Sequence, residues 1–238
     1  MSDSQSLFYR DKTVFGFDIG FNSVKLMQID TTPKVDTVLG YGYTSFDNKA
    51  VKNGVIIDPE VIAKEVYQLI GKQTIGSIDT RRIAAAVPVA RTFNRVLTLP
   101  EMQKGDLDEA VRLEAEQYIP VPVDELYIDY EIAEVKKDKS LEILVVAAPK
   151  NIVDSYTTLF KLLGLEPSII ETSISASTRL VMHAEQTDLP TLIIDFGSIS
   201  TDLSIFDSVL RVTGTVSEGG DTITRGIAKA LNVTPRQA

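Results

Sequence analysis

Two stretches of this chain align with each other without a gap. Val14–Leu26 (VFGFDIGFNSVKL) pairs with Thr191–Leu203 (TLIIDFGSISTDL). The two share Asp18/Asp195, Gly20/Gly197, Ser23/Ser200 and Leu26/Leu203, and slightly further on Asp30/Asp207. Each copy predicts an apolar strand, an acidic-glycine turn and a second strand. One Asp-x-Gly turn is most simply an ordinary hairpin, since such turns are common. Two ungapped copies, each followed by the order strand, helix, reverse that preference. They predict a duplicated α/β fold with two matching hairpins.

The elements around them are legible from local signals. Val35–Phe46 predicts a third strand of the first copy. Asp58-Pro59 opens a helix, because Asp58 can cap free N–H groups and Pro59 suits the first helical position. Val61, Ile62, Val66, Leu69 and Ile70 give that helix an apolar stripe. Ile83–Val87 predicts a buried strand ended by Pro88. Asp106–Tyr118 predicts an acidic helix with Leu107, Val111, Ala115 and Tyr118 on one side, stopped by Pro120 and Pro122. Tyr127–Val135 and Leu141–Ala148 predict a hairpin, with Lys136, Lys137 and Lys139 as its solvated turn. Ile152–Leu163 predicts a helix ended by Gly164, its face made by Val153, Tyr156, Phe160 and Leu163. A strand follows at Ser168–Glu171, then a helix to about His183. The second copy is Leu192–Phe206, Val209–Val216, Gly219-Gly220 and a helix at Thr222–Leu231. The expected domains are 1–13 as a fraying N-terminus, 14–94 with 168–188 as a first lobe, 95–167 as an inserted block, and 189–238 as part of a second lobe.

Composition narrows the function. The net charge is -9 and the pI about 4.7, which argues against a basic face for nucleic acid. The absence of cysteine removes disulfides, thiolate metal sites and cysteine nucleophiles. With neither a membrane-spanning stretch nor a signal peptide, the expected location is the cytoplasm. His183, the one histidine, sits near a predicted helix end, where a surface role is expected.

The paired turns fit a nucleoside triphosphate and its metal. Glycine lets backbone donors approach phosphate closely. Magnesium keeps most of its water, so one or two carboxylates suffice. Asp18 and Asp195 stand where a strand enters each turn. Asn22, Ser23, Ser198, Ser200 and Thr201 can add donors. Lys25 has two readings, a phosphate ligand or a side chain on the solvent face of its strand. Gly219-Gly220-Asp221 could approach the nucleotide through its backbone.

Four segments carry a resemblance: DIGFNSVK at Asp18–Lys25, EAEQYIP at Glu114–Pro120, AAPK at Ala147–Lys150 and GGDTIT at Gly219–Thr224. With them the chain, from about Val14 to its end, resembles the actin-like ATPase superfamily and, within it, the PilM family of type IV pilus assembly proteins. The resemblance implies an actin-like (ribonuclease H-like) duplicated fold with an inserted subdomain of the kind shared with the cell-division protein FtsA, and an incomplete second lobe. It implies ATP and Mg2+ as ligands. Asp18, Gly20, Asn22, Ser23 and Lys25 would form the first phosphate loop. Asp195, Gly197, Ser198 and Thr201 would form the second, with Gly219 and Gly220 near the nucleotide. Asp18 and Asp195 would hold the metal through water, and Asp195 and Glu171 are the candidate catalytic residues. Where the family carries Glu after the acidic position of the connecting segment, this chain has Ser173, which predicts slow or absent hydrolysis. The implied partner is the N-terminal peptide of a PilN-like inner-membrane protein, which would bring the chain to the inner face of the membrane, with self-association as a further possibility. The family continues beyond the point matching Ala238, so the sequence reads as a fragment or a natural truncation and predicts weak nucleotide affinity. An FtsA-like polymerising division protein is the alternative. A sugar-kinase-type phosphotransferase is less favoured, for want of a carboxylate base beside a substrate pocket.

Overall fold

The computed structural model describes residues 13–31, 35–88, 92–185 and 189–238. The expected fraying segment, apart from Thr13, lies outside them.

Along the chain, β1 (Phe15–Ile19), β2 (Ser23–Asp30) and β3 (Thr37–Ser45) come first. A short ribbon of β4 (Val51–Lys52) and β5 (Val55–Ile56) follows. Helix α1 (Pro59–Gln68) starts where Asp58 accepts a hydrogen bond from the Val61 N–H, and a π-helical turn at Leu69–Gln73 extends it. Next are β6 (Ile75–Gly76), β7 (Arg82–Val87), β8 (Phe93–Pro100) and α2 (Lys104–Tyr118). The hairpin β9 (Leu126–Val135) and β10 (Ser140–Pro149) leads into α3 (Lys150–Leu163). Gly164 terminates α3 in the left-handed region, at φ 65°. Strand β11 (Glu166–Thr172) and α4 (Ser173–Glu185) precede the second copy. That copy is β12 (Thr191–Phe196), β13 (Thr201–Asp207), β14 (Val209–Val216) and α5 (Gly220–Leu231). His183 falls near the end of α4; its side chain lies outside the described residues.

By packing, the chain divides into two compact units. The first comprises the chain up to Ala50, Asp58–Ala85 and Thr157–Ile170. It is built on a six-stranded sheet in the order β11-β7-β1-β2-β3-β6. β1, β2, β3 and β6 are antiparallel neighbours. The apolar face of this sheet carries Phe15, Phe17, Ile19, Val24 and Leu26, all buried. Ile62, Val66 and Leu69 of the α1 segment and Leu159 and Phe160 of α3 are buried in the same unit, Phe160 meeting Phe17 edge-on at 5.8 Å. Of the predicted stripe on α1, Ile70 points outward and Ala63 is buried instead. Gln28, fully buried on β2, has its amide satisfied by Asp79, whose N–H donates to Gln28 Oε1 at 3.0 Å.

The second unit comprises Val51–Ile57, Ala86–Tyr156 and the chain from Glu171. It holds two three-stranded antiparallel sheets, β8-β10-β9 and β12-β13-β14. Helix α2 lays Leu107 and Val111 on Leu97, Leu141, Ile143 and Val145 of the first of these. Ala115 and Ile119 continue the core with Val123, Leu126 and Ala147. The two sheets are tied together: Leu210 of β14 packs with Ile174 of α4 and Leu144 of β10. Arg211 of β14 also donates to Glu142 of β10.

Candidate phosphate loops

In the first loop, the strand register sets Asp18 opposite Lys25. The turn between them closes with the Gly20 N–H donating to the Ser23 carbonyl at 2.8 Å. Lys25 Nζ lies 3.2 Å from Asp18 Oδ2, both side chains being well exposed. Of the two readings of Lys25, its chain runs on the exposed face of β2 and its ammonium returns to Asp18. Asn22 turns its carbonyl to the Phe46 N–H at 2.9 Å, which ties the loop to the end of β3. Asp18, Gly20, Asn22, Ser23 and Lys25 are thus gathered in one turn of the first unit.

The second loop repeats this construction. Asp195 faces Asp202 in register, and the Gly197 N–H donates to the Ser200 carbonyl at 2.9 Å. The charge pattern differs: where the first hairpin pairs Asp with Lys, the second sets two carboxylates side by side. Burial raises the pKa of Asp202. A hydrogen bond from the Thr215 hydroxyl at 2.5 Å opposes that rise, and the charge of Asp195 adds to it. Gly219 and Gly220 join this loop, since β14 runs back beside β13 and Val216 stands opposite Thr201. The Gly220 N–H donates to the Gly197 carbonyl at 3.0 Å and the Asp221 N–H to the Ser198 carbonyl at 2.7 Å. Thr201 Oγ1 donates to the Glu218 carbonyl at 2.8 Å. Asp195, Gly197, Ser198, Thr201, Gly219 and Gly220 therefore form one cluster in the second unit. The sequence grouped these residues. It did not show that the loop and the start of α5 are hydrogen-bonded to each other; the one signal for it was Gly-Gly directly after a strand paired to the loop's own strand.

Glu171 stands near the end of β11. It is largely buried, and Arg179 of α4 holds it at 2.5 Å. The Thr172 hydroxyl accepts the Ser175 N–H at 3.2 Å, which starts α4 around Ser173. Among the described residues no three of His, Cys, Asp and Glu converge on a site for a metal ion. Asp18 and Asp195 instead offer single carboxylates beside glycine turns. That donor set suits a magnesium ion that keeps its water and is steadied by phosphate. Elsewhere in the second unit an open cleft of about 470 Å³ lies at the end of α2, lined by Glu116, Ile119–Val123 and Asp124. Among the described residues no helix is long and apolar enough to cross a membrane.

Known proteins share this architecture. The fold matches a solved PilM-PilN type IV pilus biogenesis complex with a TM-score of 0.83 at 22% identity, over 96% of this chain and 68% of that one. It also matches MreB 5 of Spiroplasma citri bound to AMPPNP, with a TM-score of 0.51 at 12% identity, over 94% of this chain and 57% of that one. The fold is thus actin-like α/β. In sequence, the cell division protein FtsA of Pseudomonas aeruginosa is 24% identical over 95% of this chain. The chain spans 59% of that relative's length. The family model described as type IV pilus assembly protein PilM matches residues 16–238, and the chain belongs to that family.

Proposed function

We propose that this chain is part of a nucleotide-dependent scaffold of the type IV pilus assembly platform. ATP with Mg2+ is held by the two phosphate loops. The N-terminal peptide of a PilN-like inner-membrane protein is the partner, and it draws the chain to the membrane. The observation that carries the nucleotide reading is the repetition of one closed turn, Gly20 to Ser23 and Gly197 to Ser200, each beside an aspartate at the same step. The solved PilM-PilN complex supports the partner, and the AMPPNP-bound MreB relative in fold supports the ligand.

In this reading the first lobe is 14–94 with 168–188, the inserted subdomain 95–167, and 189–238 belongs to the second lobe. Asp18, Gly20, Asn22, Ser23 and Lys25 serve one side of the triphosphate. Gly197, Ser198 and Thr201 serve the other, next to Gly219 and Gly220. Asp18 and Asp195 meet the metal through water. Nucleotide binding biases partner affinity by favouring one arrangement of the protein. Turnover is slow or absent. Asp195 and Glu171 are the candidate carboxylates for any hydrolysis, and Glu171 is already engaged by Arg179.

The test is calorimetric titration of a synthetic PilN-like N-terminal peptide, with and without MgATP. Binding that changes with MgATP, and loses that change in Asp18→Ala, is the expected result. No peptide binding in either condition would overturn the scaffold reading. The FtsA relationship over most of the chain favours a second reading, an FtsA-like polymer. Its expected signature is ATP-dependent sedimentation of the protein.

A further inference from the structure

Gly219 is buried, and its backbone is extended at φ -152°, a conformation open to any residue. Its requirement is space. A Cβ there would stand 2.6 Å from the Gly197 carbonyl oxygen and 2.7 Å from the carbonyl carbon and oxygen of Ser198. Each of these contacts is with backbone, so no side chain can swing aside to relieve it. At Gly220 the nearest atoms to an added Cβ are the Gly197 oxygen at 3.8 Å and Phe196 at 3.9 Å, which is ordinary contact. The two neighbouring glycines are therefore not equivalent.

The hydrogen bonds show what the close approach achieves. The first two N–H groups of α5 are spent on the loop, Gly220 on the Gly197 carbonyl and Asp221 on the Ser198 carbonyl. The peptide bonds are trans, so the N–H of each peptide points away from its carbonyl. Drawing the Gly197 carbonyl toward α5 turns the Ser198 N–H away from it. Drawing the Ser198 carbonyl in does the same for the Ile199 N–H. Neither N–H has a partner among the described residues. Two consecutive N–H groups left unpaired in this way are donors available to an anionic oxygen. The helix start shares its polarity with the loop through these bonds instead of offering its own donors.

We propose that Gly219 is a positioning residue. By letting α5 clasp residues 197–198, it aims the Ser198 and Ile199 N–H groups at a phosphate oxygen, and the N–H groups of Gly220 and Asp221 are not ligands. This rests on the nucleotide reading for its ligand, though not for the clasp itself. The experiment uses amide exchange and 15N chemical shifts on the chain and on Gly219→Ala and Gly220→Ala. Without ligand, Gly220 and Asp221 exchange more slowly than Ser198 and Ile199. Gly219→Ala removes that difference and Gly220→Ala keeps it, while protection in β13 and β14 is unchanged in both. Equal exchange in the parent chain overturns the clasp. With inorganic pyrophosphate, the Ser198 and Ile199 signals shift in the parent and in Gly220→Ala. They respond roughly tenfold more weakly in Gly219→Ala, the worth of about one charge-assisted hydrogen bond. Shifts at Gly220 and Asp221 with Ser198 and Ile199 unmoved make the glycine pair the ligand and overturn the proposal. If the second loop is silent to pyrophosphate and MgATP while Gly20–Ser23 respond to MgATP, the donor assignment falls and the nucleotide reading stands. If both loops are silent to MgATP, the nucleotide reading and the donor assignment fall together, and exchange alone decides the clasp.

Discussion

Lys25 and Asp202 occupy matching steps of the two hairpins and carry opposite charge, and their surroundings respond differently. Lys25 neutralises Asp18 across an exposed pair, an arrangement worth little in stability. Asp202 is half-buried beside Asp195, and burial followed by that neighbour's charge raises its pKa against the Thr215 hydrogen bond. An acid whose folded pKa is raised destabilises the fold while ionised. The penalty is fully present above the folded pKa and fades as pH falls to the unfolded value, ordinarily about 3.9. Asp202→Asn is therefore expected to raise stability at pH 7 and to give no gain at pH 3.5, read from urea midpoints. Glu142 has the opposite sign. The hydrogen bond from Lys136 lowers its pKa, burial opposes, and Arg211 lowers it further. Its contribution is present above the unfolded carboxylate pKa and is lost as pH falls through the depressed folded value. The carboxylate has little exposed surface but lies under two flexible basic chains rather than deep in the core. Glu142→Gln should thus cost about 1–2 kcal/mol at pH 7. A cost that does not shrink as pH falls through the depressed folded value would show that the ion pairs are not its source.

Among the elements, those with local chemistry were legible in advance. Asp58-Pro59 does open α1, and the Asp58 carboxylate accepts from the Val61 N–H at 3.3 Å. Asp58→Ala should cost about 1 kcal/mol, measurable as a lowered urea midpoint with unchanged slope; no loss would mean that Pro59 alone sets the start. Gly164 ends α3, and the lysine-rich turn joins β9 to β10, because one residue or one tight turn dictates each. Strand β8 was not legible. Asn94 and Arg95 interrupt its alternation and Pro100 ends it, a pattern an edge strand tolerates, and β8 lies at the edge of its sheet. The two-residue strands β4, β5 and β6 carry too little sequence for any period to show. The same division runs through the site. Each Asp-x-Gly turn is a local event and could be read directly. The clasp between residues 197–198 and 219–221 depends on the register of β13 against β14, which no short motif encodes. Glu171 was singled out by the family resemblance, but its guanidinium partner comes from eight residues further on, within α4.

Across the whole molecule, the duplication exposes a contrast that composition hides. Phe15, Phe17 and Ile19 on β1 are 1%, 2% and 3% exposed, and their counterparts Leu192, Ile194 and Phe196 on β12 are 60%, 58% and 58% exposed. The two strands have the same pattern, but β1 has neighbours on both edges and helices over its apolar face, while β12 is an edge strand. The same face of that sheet continues the exposure through Ile205 and Val212, which stand in register with Leu192. An edge strand with such a face is a ready surface for association. One substitution at matched positions separates the two environments. Phe17→Lys removes a ring packed on Phe160 and buries a charge, and should cost more than about 3 kcal/mol, enough to unfold the first unit. Ile194→Lys should change stability by no more than about 0.5 kcal/mol. It should also lower concentration-dependent self-association and the binding of an apolar dye. The pair is read by sedimentation velocity and dye fluorescence at several concentrations. If Ile194→Lys destabilises as strongly as Phe17→Lys, the β12 face is covered in solution, and the sheet is not the open surface from which this association is argued.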